Sequence, residues 1–149
     1  MMRELYTQVI MDHYQRPRNR GELEDADLEE HLLNPLCGDE VVVYAAFDGD
    51  RVADVRFSGR GCAISQASAS MMTERLSGKS LKEAEAEIEM FKEQMVGKKE
   101  FPKLDDLAAL KGVVQYPSRV KCAILAWSAF HVGLSKDARG SENPDVPEE

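Results

Sequence analysis

The stretch VVVYAAFDGDRVADVRF, from Val41 to Phe57, determines the fold class of this chain. Two apolar runs flank an Asp-Gly-Asp turn at 48–50, and a short turn between two such runs is a strong signal for a β-hairpin. In the second run Ala53, Val55 and Phe57 alternate with polar residues, which predicts one buried face and one solvated face. The sequence therefore predicts a pair of antiparallel strands.

Helical patterns lie on both sides of this hairpin, and no helix separates the two clear strands as parallel pairing would require. The chain is therefore predicted to be α+β, a single domain in which helices pack on a small antiparallel sheet. A weaker strand is expected at 30–34, after an acidic surface connection at 21–30. The predicted helices are Met2–Arg16, Ala63–Leu76, Leu81–Met95 with a capping box at Ser80 and Glu83, a short helix at Asp105–Leu110, and a last helix from about Pro117 to Leu134. The domain is expected to span residues 1–135, and 136–149 to form an acidic, disordered tail.

Composition limits the possible function. The chain has 149 residues, and 19 basic against 27 acidic residues give a net charge of −8. Such a surface argues against nucleic-acid binding and against attraction to anionic lipid. The longest apolar run, Val41–Phe47, is far short of the roughly 18 residues that suggest a membrane span. No signal peptide is readable, and the three cysteines are widely spaced, so reduced thiols in a cytoplasmic protein are expected.

The three cysteines fall at predicted loops or helix starts. Cys37 lies in the turn-forming segment 34–39, Cys62 at a strand-to-helix junction, and Cys122 near the start of the last helix, next to basic residues. Helix N-termini and nearby cations favour the thiolate, which is the form that binds metal or attacks sulfur. Asp39 lies two residues after Cys37, so three thiolates and one carboxylate could complete a tetrahedral zinc site.

Two other interpretations of the cysteines stay open at this point. Isolated cysteines often behave as small buried hydrophobic residues, and no paired CxxC motif is present. A thiol hydrolase would need a histidine base, but His131 follows Cys122 by nine residues and points to the opposite side of the same helix. We therefore expect His13, His31 and His131 to be structural or surface residues.

Four motifs carry a family resemblance: DHYQRPRN at 12–19, NPLCGD at 34–39, GCAIS at 61–65 and Lys-Cys at 121–122. In this order they resemble the IscU/SufU family of iron–sulfur cluster assembly proteins, which includes the NifU N-terminal domain. The resemblance runs from about Met2 to Leu134. It implies an α+β fold with the site at one end and the following metal or cluster ligands: Cys37, Asp39, Cys62 and Cys122.

Two features place the resemblance in the SufU branch. Lys121 occupies the position where IscU-type scaffolds have histidine, and the stretch between Cys62 and Cys122 is longer than in those scaffolds. The branch implies a zinc-dependent sulfur acceptor that works with a cysteine desulfurase of the SufS type and passes sulfur to downstream scaffold or acceptor proteins. Cys37 would accept the sulfur, with Arg119 and Lys121 in supporting roles. Such a protein is a sulfurtransferase-type accessory factor and not a stand-alone enzyme.

Two alternatives remain within this interpretation. The same four residues could bind iron or hold a transient [2Fe–2S] cluster before handing it on, because thiolates suit such clusters. Alternatively, zinc could only stabilise a non-catalytic interaction module, in which case chelation should unfold the protein while sulfur transfer is absent.

Overall fold

The computed structural model describes residues 2–35, 38–102 and 105–136, with side chains from Tyr6 onward. Cys37 and most of the expected acidic tail therefore lie outside the described residues, and the domain boundary at 135 stays a prediction. The elements in chain order are α1 (Met2–Gln15), β1 (Leu28–Asn34), β2 (Asp39–Asp48), β3 (Arg51–Arg60), α2 (Ala63–Leu76), α3 (Leu81–Met95), a 3-10 helix (Asp106–Gln115) and α4 (Pro117–Lys136).

The three strands form one antiparallel sheet in the order β1-β2-β3, which confirms the predicted fold class. The β2–β3 hairpin has a register shift between Ala46 and Phe47. Because of this bulge, Val52 is buried and Ala53 is exposed, so the predicted inward position of Ala53 was wrong. A bulge adds one residue to one strand and thereby reverses the facing of the side chains beyond it.

The connection before β1 also differs from the expectation. β1 begins at Leu28, so the last residues of the predicted acidic loop at 21–30 belong to the sheet. Leu28 is buried and pairs with Ala45. Burial of Leu28 in the core favours a strand here although the neighbouring residues are polar. Polar neighbours are expected in a strand that has only one covered face.

The helices confirm most of the predicted boundaries. α2 and α3 begin and end where the sequence places them, and both bonds of the Ser80–Glu83 capping box are present. The predicted short helix is a 3-10 helix and extends to Gln115. α4 is buried along most of its length, with Trp127 stacked on Phe91 of α3 at 4.1 Å. Among the described helices, none combines the length and the hydropathy that a bilayer crossing requires.

Candidate metal centre

Three of the predicted ligands meet where β2 begins and where α2 and α4 begin. Asp39 is the first residue of β2, Cys62 is the N-cap of α2, and Cys122 lies in the second turn of α4. One ligand atom from each lies within 4.8 Å of those of the other two. The fold thus brings together side chains that are far apart in the sequence.

The donor set fits a tetrahedral zinc ion. Cys62 Sγ lies 3.9 Å from Asp39 Oδ2, and donors on one tetrahedral zinc ion are separated by roughly 3.5–3.8 Å given the usual bond lengths. Asp39 and Cys122 are buried, whereas Cys62 is half-buried. A small contraction would therefore bring the described donors into bonding range of one ion.

The predicted fourth ligand, Cys37, is outside the described residues, but the chain on both sides of it is anchored at the site. Asn34 and Asp39 pair as the last and first residues of β1 and β2. The Gly38 N–H donates to the Asn34 carbonyl over 2.8 Å, which closes the loop. Gly38 has a φ of +73°, a conformation that glycine adopts without steric cost.

Asp39 is oriented by the residues that precede α2. Its Oδ1 accepts the backbone N–H of Cys62 at 2.9 Å, which leaves Oδ2 facing the sulfur. Gly61 makes this approach possible, because a Cβ there would lie 2.5 Å from Asp39 Oδ1 and 2.5 Å from Ser65 Oγ. The sequence pattern alone does not connect Gly61 with Asp39, which lies 22 residues earlier in the chain.

The Cys122 sulfur has polar neighbours on β1 and in the first turn of α4. The thiol lies 3.7 Å from the Ser118 carbonyl, and the Asn34 side-chain amide donates to Sγ from 3.9 Å. Asn34 is buried, and outer hydrogen bonds of this kind fix the orientation of a ligand. Sequence reasoning treated Asn34 only as part of a turn, although its place in the NPLCGD motif was a usable signal.

Arg119 interacts with both described thiols. The negative charge on Cys62, followed by that on Cys122, raises the pKa of Arg119, and hydrogen bonding to the sulfurs acts in the same direction while desolvation opposes it. A guanidinium in this position compensates negative charge on the thiolates. Lys121 is exposed and, within the described part of the chain, makes no hydrogen bond or ion pair, so its supporting role stays a prediction.

The histidines are engaged elsewhere. His13 contacts Ser70 and Asp106, His31 contacts Glu40, and His131 contacts Lys92. No described histidine hydrogen-bonds to Cys62 or Cys122, so the described residues contain no cysteine–histidine pair of the kind that a thiol hydrolase needs. The three histidines therefore lie outside the candidate metal centre.

Known proteins are similar to this chain in sequence and in fold. The family model of the NifU-like N-terminal domain matches residues 5–136. The zinc-dependent sulfurtransferase SufU of Bacillus subtilis is 45% identical over 139 residues, covering 92% of this chain and 94% of SufU. The iron–sulfur cluster assembly scaffold protein IscU of Streptococcus pyogenes is 38% identical, covering 97% of this chain and 91% of that protein.

A solved structure agrees with these relatives. The crystal structure of FiSufU from Fervidobacterium islandicum, named as an iron–sulfur cluster assembly scaffold protein for the SUF system, superimposes with a TM-score of 0.80 at 39% identity, covering 87% of this chain and 96% of that one. The match of both sequence and fold extends over nearly the whole described chain. The chain therefore belongs to the NifU-like N-terminal domain family of iron–sulfur cluster assembly proteins.

Proposed function

We propose that this protein is a zinc-dependent sulfur acceptor that works with a cysteine desulfurase in iron–sulfur cluster assembly. The observation that carries the proposal is the convergence of Asp39, Cys62 and Cys122 within 4.8 Å. The similarity to a relative named as a zinc-dependent sulfurtransferase supports it. We propose a desulfurase of the SufS type as the partner, and a downstream scaffold or acceptor protein as the recipient of the sulfur.

The zinc ion would be held by Cys37 together with the three residues that converge. When bound, zinc keeps cysteine sulfur deprotonated near neutral pH and supplies a fixed positive charge. The Cys62 backbone N–H holds Asp39 Oδ1, so the carboxylate keeps its orientation with or without the ion. Arg119 offsets part of the negative charge of the thiolates.

In this proposal Cys37 is the sulfur acceptor. Its thiolate attacks the terminal sulfur of the desulfurase persulfide, as in thiol–disulfide exchange. A new S–S bond forms at Cys37 while the persulfide S–S bond breaks, and the desulfurase cysteine leaves as a thiolate. No external oxidant or reductant is needed, because the sulfur moves with its oxidation state unchanged. Cys62 is the N-cap of α2 and Cys122 lies in α4, which makes them the better anchors.

A second function, the scaffold for a transient [2Fe–2S] cluster, is supported by the scaffold relative that covers 97% of this chain. Thiolates bind such a cluster, and its cargo would be delivered to an acceptor protein. The two functions differ in what the isolated protein contains. Stoichiometric zinc and no visible absorption favour the sulfur acceptor, whereas an iron–sulfur chromophore without zinc favours the scaffold.

The acceptor role can be tested by desulfurase turnover. We expect the wild-type protein to accelerate the desulfurase and to carry persulfide, and Cys37→Ala to do neither. Met90→Ala is the control, because Met90 is an exposed sulfur-containing residue of α3 that cannot form a persulfide. If Cys37→Ala accepts sulfur as well as Met90→Ala does, the acceptor assignment is wrong.

A further inference from the structure

A separate group of potential metal ligands lies where α1, α2 and the 3-10 helix meet. His13, Glu74 and Asp106 each offer an atom within 4.8 Å of the other two. His13 Nε2 lies 3.2 Å from Asp106 Oδ2 and 3.9 Å from Glu74 Oε1. None of these side chains belongs to the proposed zinc centre.

The imidazole is buried and its orientation is constrained. His13 is 1% exposed, and its Nδ1 lies 2.8 Å from Ser70 Oγ, a hydroxyl that also accepts the Arg18 backbone N–H at 2.8 Å. In the tautomer in which Nδ1 donates to Ser70, the lone pair of Nε2 faces the two carboxylates. Metal-binding histidines in proteins commonly use their second ring nitrogen in this way.

Nε2 and the two carboxylate oxygens repel one another unless a proton or a cation lies between them, because each presents a lone pair to the others. A proton on Nε2 can bridge to Asp106, but the 3.9 Å separation leaves Glu74 Oε1 outside hydrogen-bond range. Arg18 is the charged neighbour of Glu74, and its Nε lies 3.7 Å from the other oxygen, Oε2. A divalent cation would be contacted by all three ligands at once.

The group is open to solvent on one side. Glu74 and Asp106 line a cleft of about 480 Å³, and their side chains are 47% and 59% exposed. An ion could therefore enter and retain water on its remaining positions. Arg75 also lines the cleft, but it pairs with Asp105 and Glu87, so its charge is balanced by those carboxylates.

We propose that His13, Glu74 and Asp106 form a second divalent-cation site with nitrogen and oxygen ligands. One imidazole and two carboxylates with open positions suit a first-row ion such as Mn²⁺ or Fe²⁺, whereas softer ions prefer thiolates. The site goes beyond the proposed sulfur transfer and does not depend on it. Its ion would join three helical elements that are distant in the sequence.

The test is a titration of the full chain with Mn²⁺, which has little preference for thiolates. Free Mn²⁺ is counted by its electron paramagnetic resonance signal, and the bound ion is located by the broadening of NMR amide signals. We expect one Mn²⁺ per chain, with broadening strongest around His13 and Ser70. The double variant Glu74→Gln/Asp106→Asn should bind Mn²⁺ more than about tenfold more weakly, as loss of directly bound ligands requires.

The control is Glu24→Gln/Asp48→Asn, which removes the same charge from exposed residues before β1 and at the β2–β3 turn. It should bind Mn²⁺ like the wild type. His13→Gln is the second test and should also weaken Mn²⁺ binding. Because His13 is buried, this variant can fail to fold, and the Glu74→Gln/Asp106→Asn double variant then decides the question. Equal affinity in the double variant and the wild type, or broadening centred on another group, overturns the site. Absence of Mn²⁺ binding also overturns it and leaves a proton bridging His13 and Asp106.

Discussion

Replacing Gly61 by alanine tests the geometry of the metal centre. The new Cβ would lie 2.5 Å from Asp39 Oδ1, and real Cβ atoms stay at least 3.0 Å from such atoms, so the carboxylate must move by at least 0.5 Å. Asp39 has a short side chain and is 1% exposed, which leaves it little room. If the shift is directed away from Gly61 and Cys62, the 2.9 Å bond from the Cys62 N–H lengthens to about 3.4 Å, near the limit for a hydrogen bond.

Two costs follow from this displacement. Overpacking a buried site costs about 1–3 kcal/mol, and losing a hydrogen bond to a charged group costs roughly 1.5–3 kcal/mol. We expect the free energy of unfolding of the metal-free protein to fall by about 2–4 kcal/mol, since part of the bond survives. Zinc affinity should fall about 10–100-fold, as is typical when an outer support of a metal ligand is removed.

Urea unfolding measures the first effect, and competition with a chromophoric zinc chelator measures the second. Gly112→Ala is the matched control, because Gly112 has no atom within 4 Å of the new Cβ and no positive φ. It should keep wild-type zinc affinity. If Gly61→Ala matches Gly112→Ala in both stability and zinc affinity, the inferred coupling between Gly61 and Asp39 is refuted. Lower stability with unchanged zinc affinity would remove Asp39 from the ligand set.

Two further predictions concern the core. Burial of the imidazole, and then the charge of Lys92, lowers the pKa of His131 in the folded protein. His131 therefore binds a proton more readily in the unfolded chain than in the folded one. The free energy of unfolding should fall as the pH drops from about 6.5, the usual value for histidine, through the lower folded pKa. Urea midpoints at about pH 7.5 and 5.5 should differ more for the wild type than for His131→Gln, and parallel shifts would contradict this. Ser68→Ala leaves the buried Trp127 Nε1–H without its 2.9 Å acceptor and should cost about 1–3 kcal/mol. Unfolding followed by tryptophan fluorescence measures this loss in the free energy of unfolding. A loss below about 0.5 kcal/mol is what an ordinary surface substitution causes, and it would contradict the prediction.

Local rules predicted the helices well. α2 ends at a Ser-Gly stop, and α3 begins at a capping box whose two bonds are both formed. These signals act within one helical turn, so a single sequence contains all the information they need. The predicted short helix ends at Leu110, whereas the 3-10 helix continues to Gln115 and packs against all four α-helices, which are contacts that its own sequence does not contain.

Strand facing could not be predicted to the same degree. The exposed Ala53 and the buried Leu28 both depend on pairing with β2, through the bulge after Ala46 in one case and the β1 register in the other. A strict alternation assumes an uninterrupted ladder. Only the paired sheet shows where that assumption fails.

By itself, the sequence determined the fold class, the ends of α2 and α3, and the chemical types of the donors, because each depends on short-range patterns or on side-chain identity. Only the tertiary structure decided that Asp39, Cys62 and Cys122 lie within 4.8 Å of one another, and that Asn34 and Gly61 shape their surroundings. It likewise brought His13 together with two carboxylates from other helices. The physical reason is that these approaches depend on how strand register and helix packing combine across the whole chain, and no local segment contains that information.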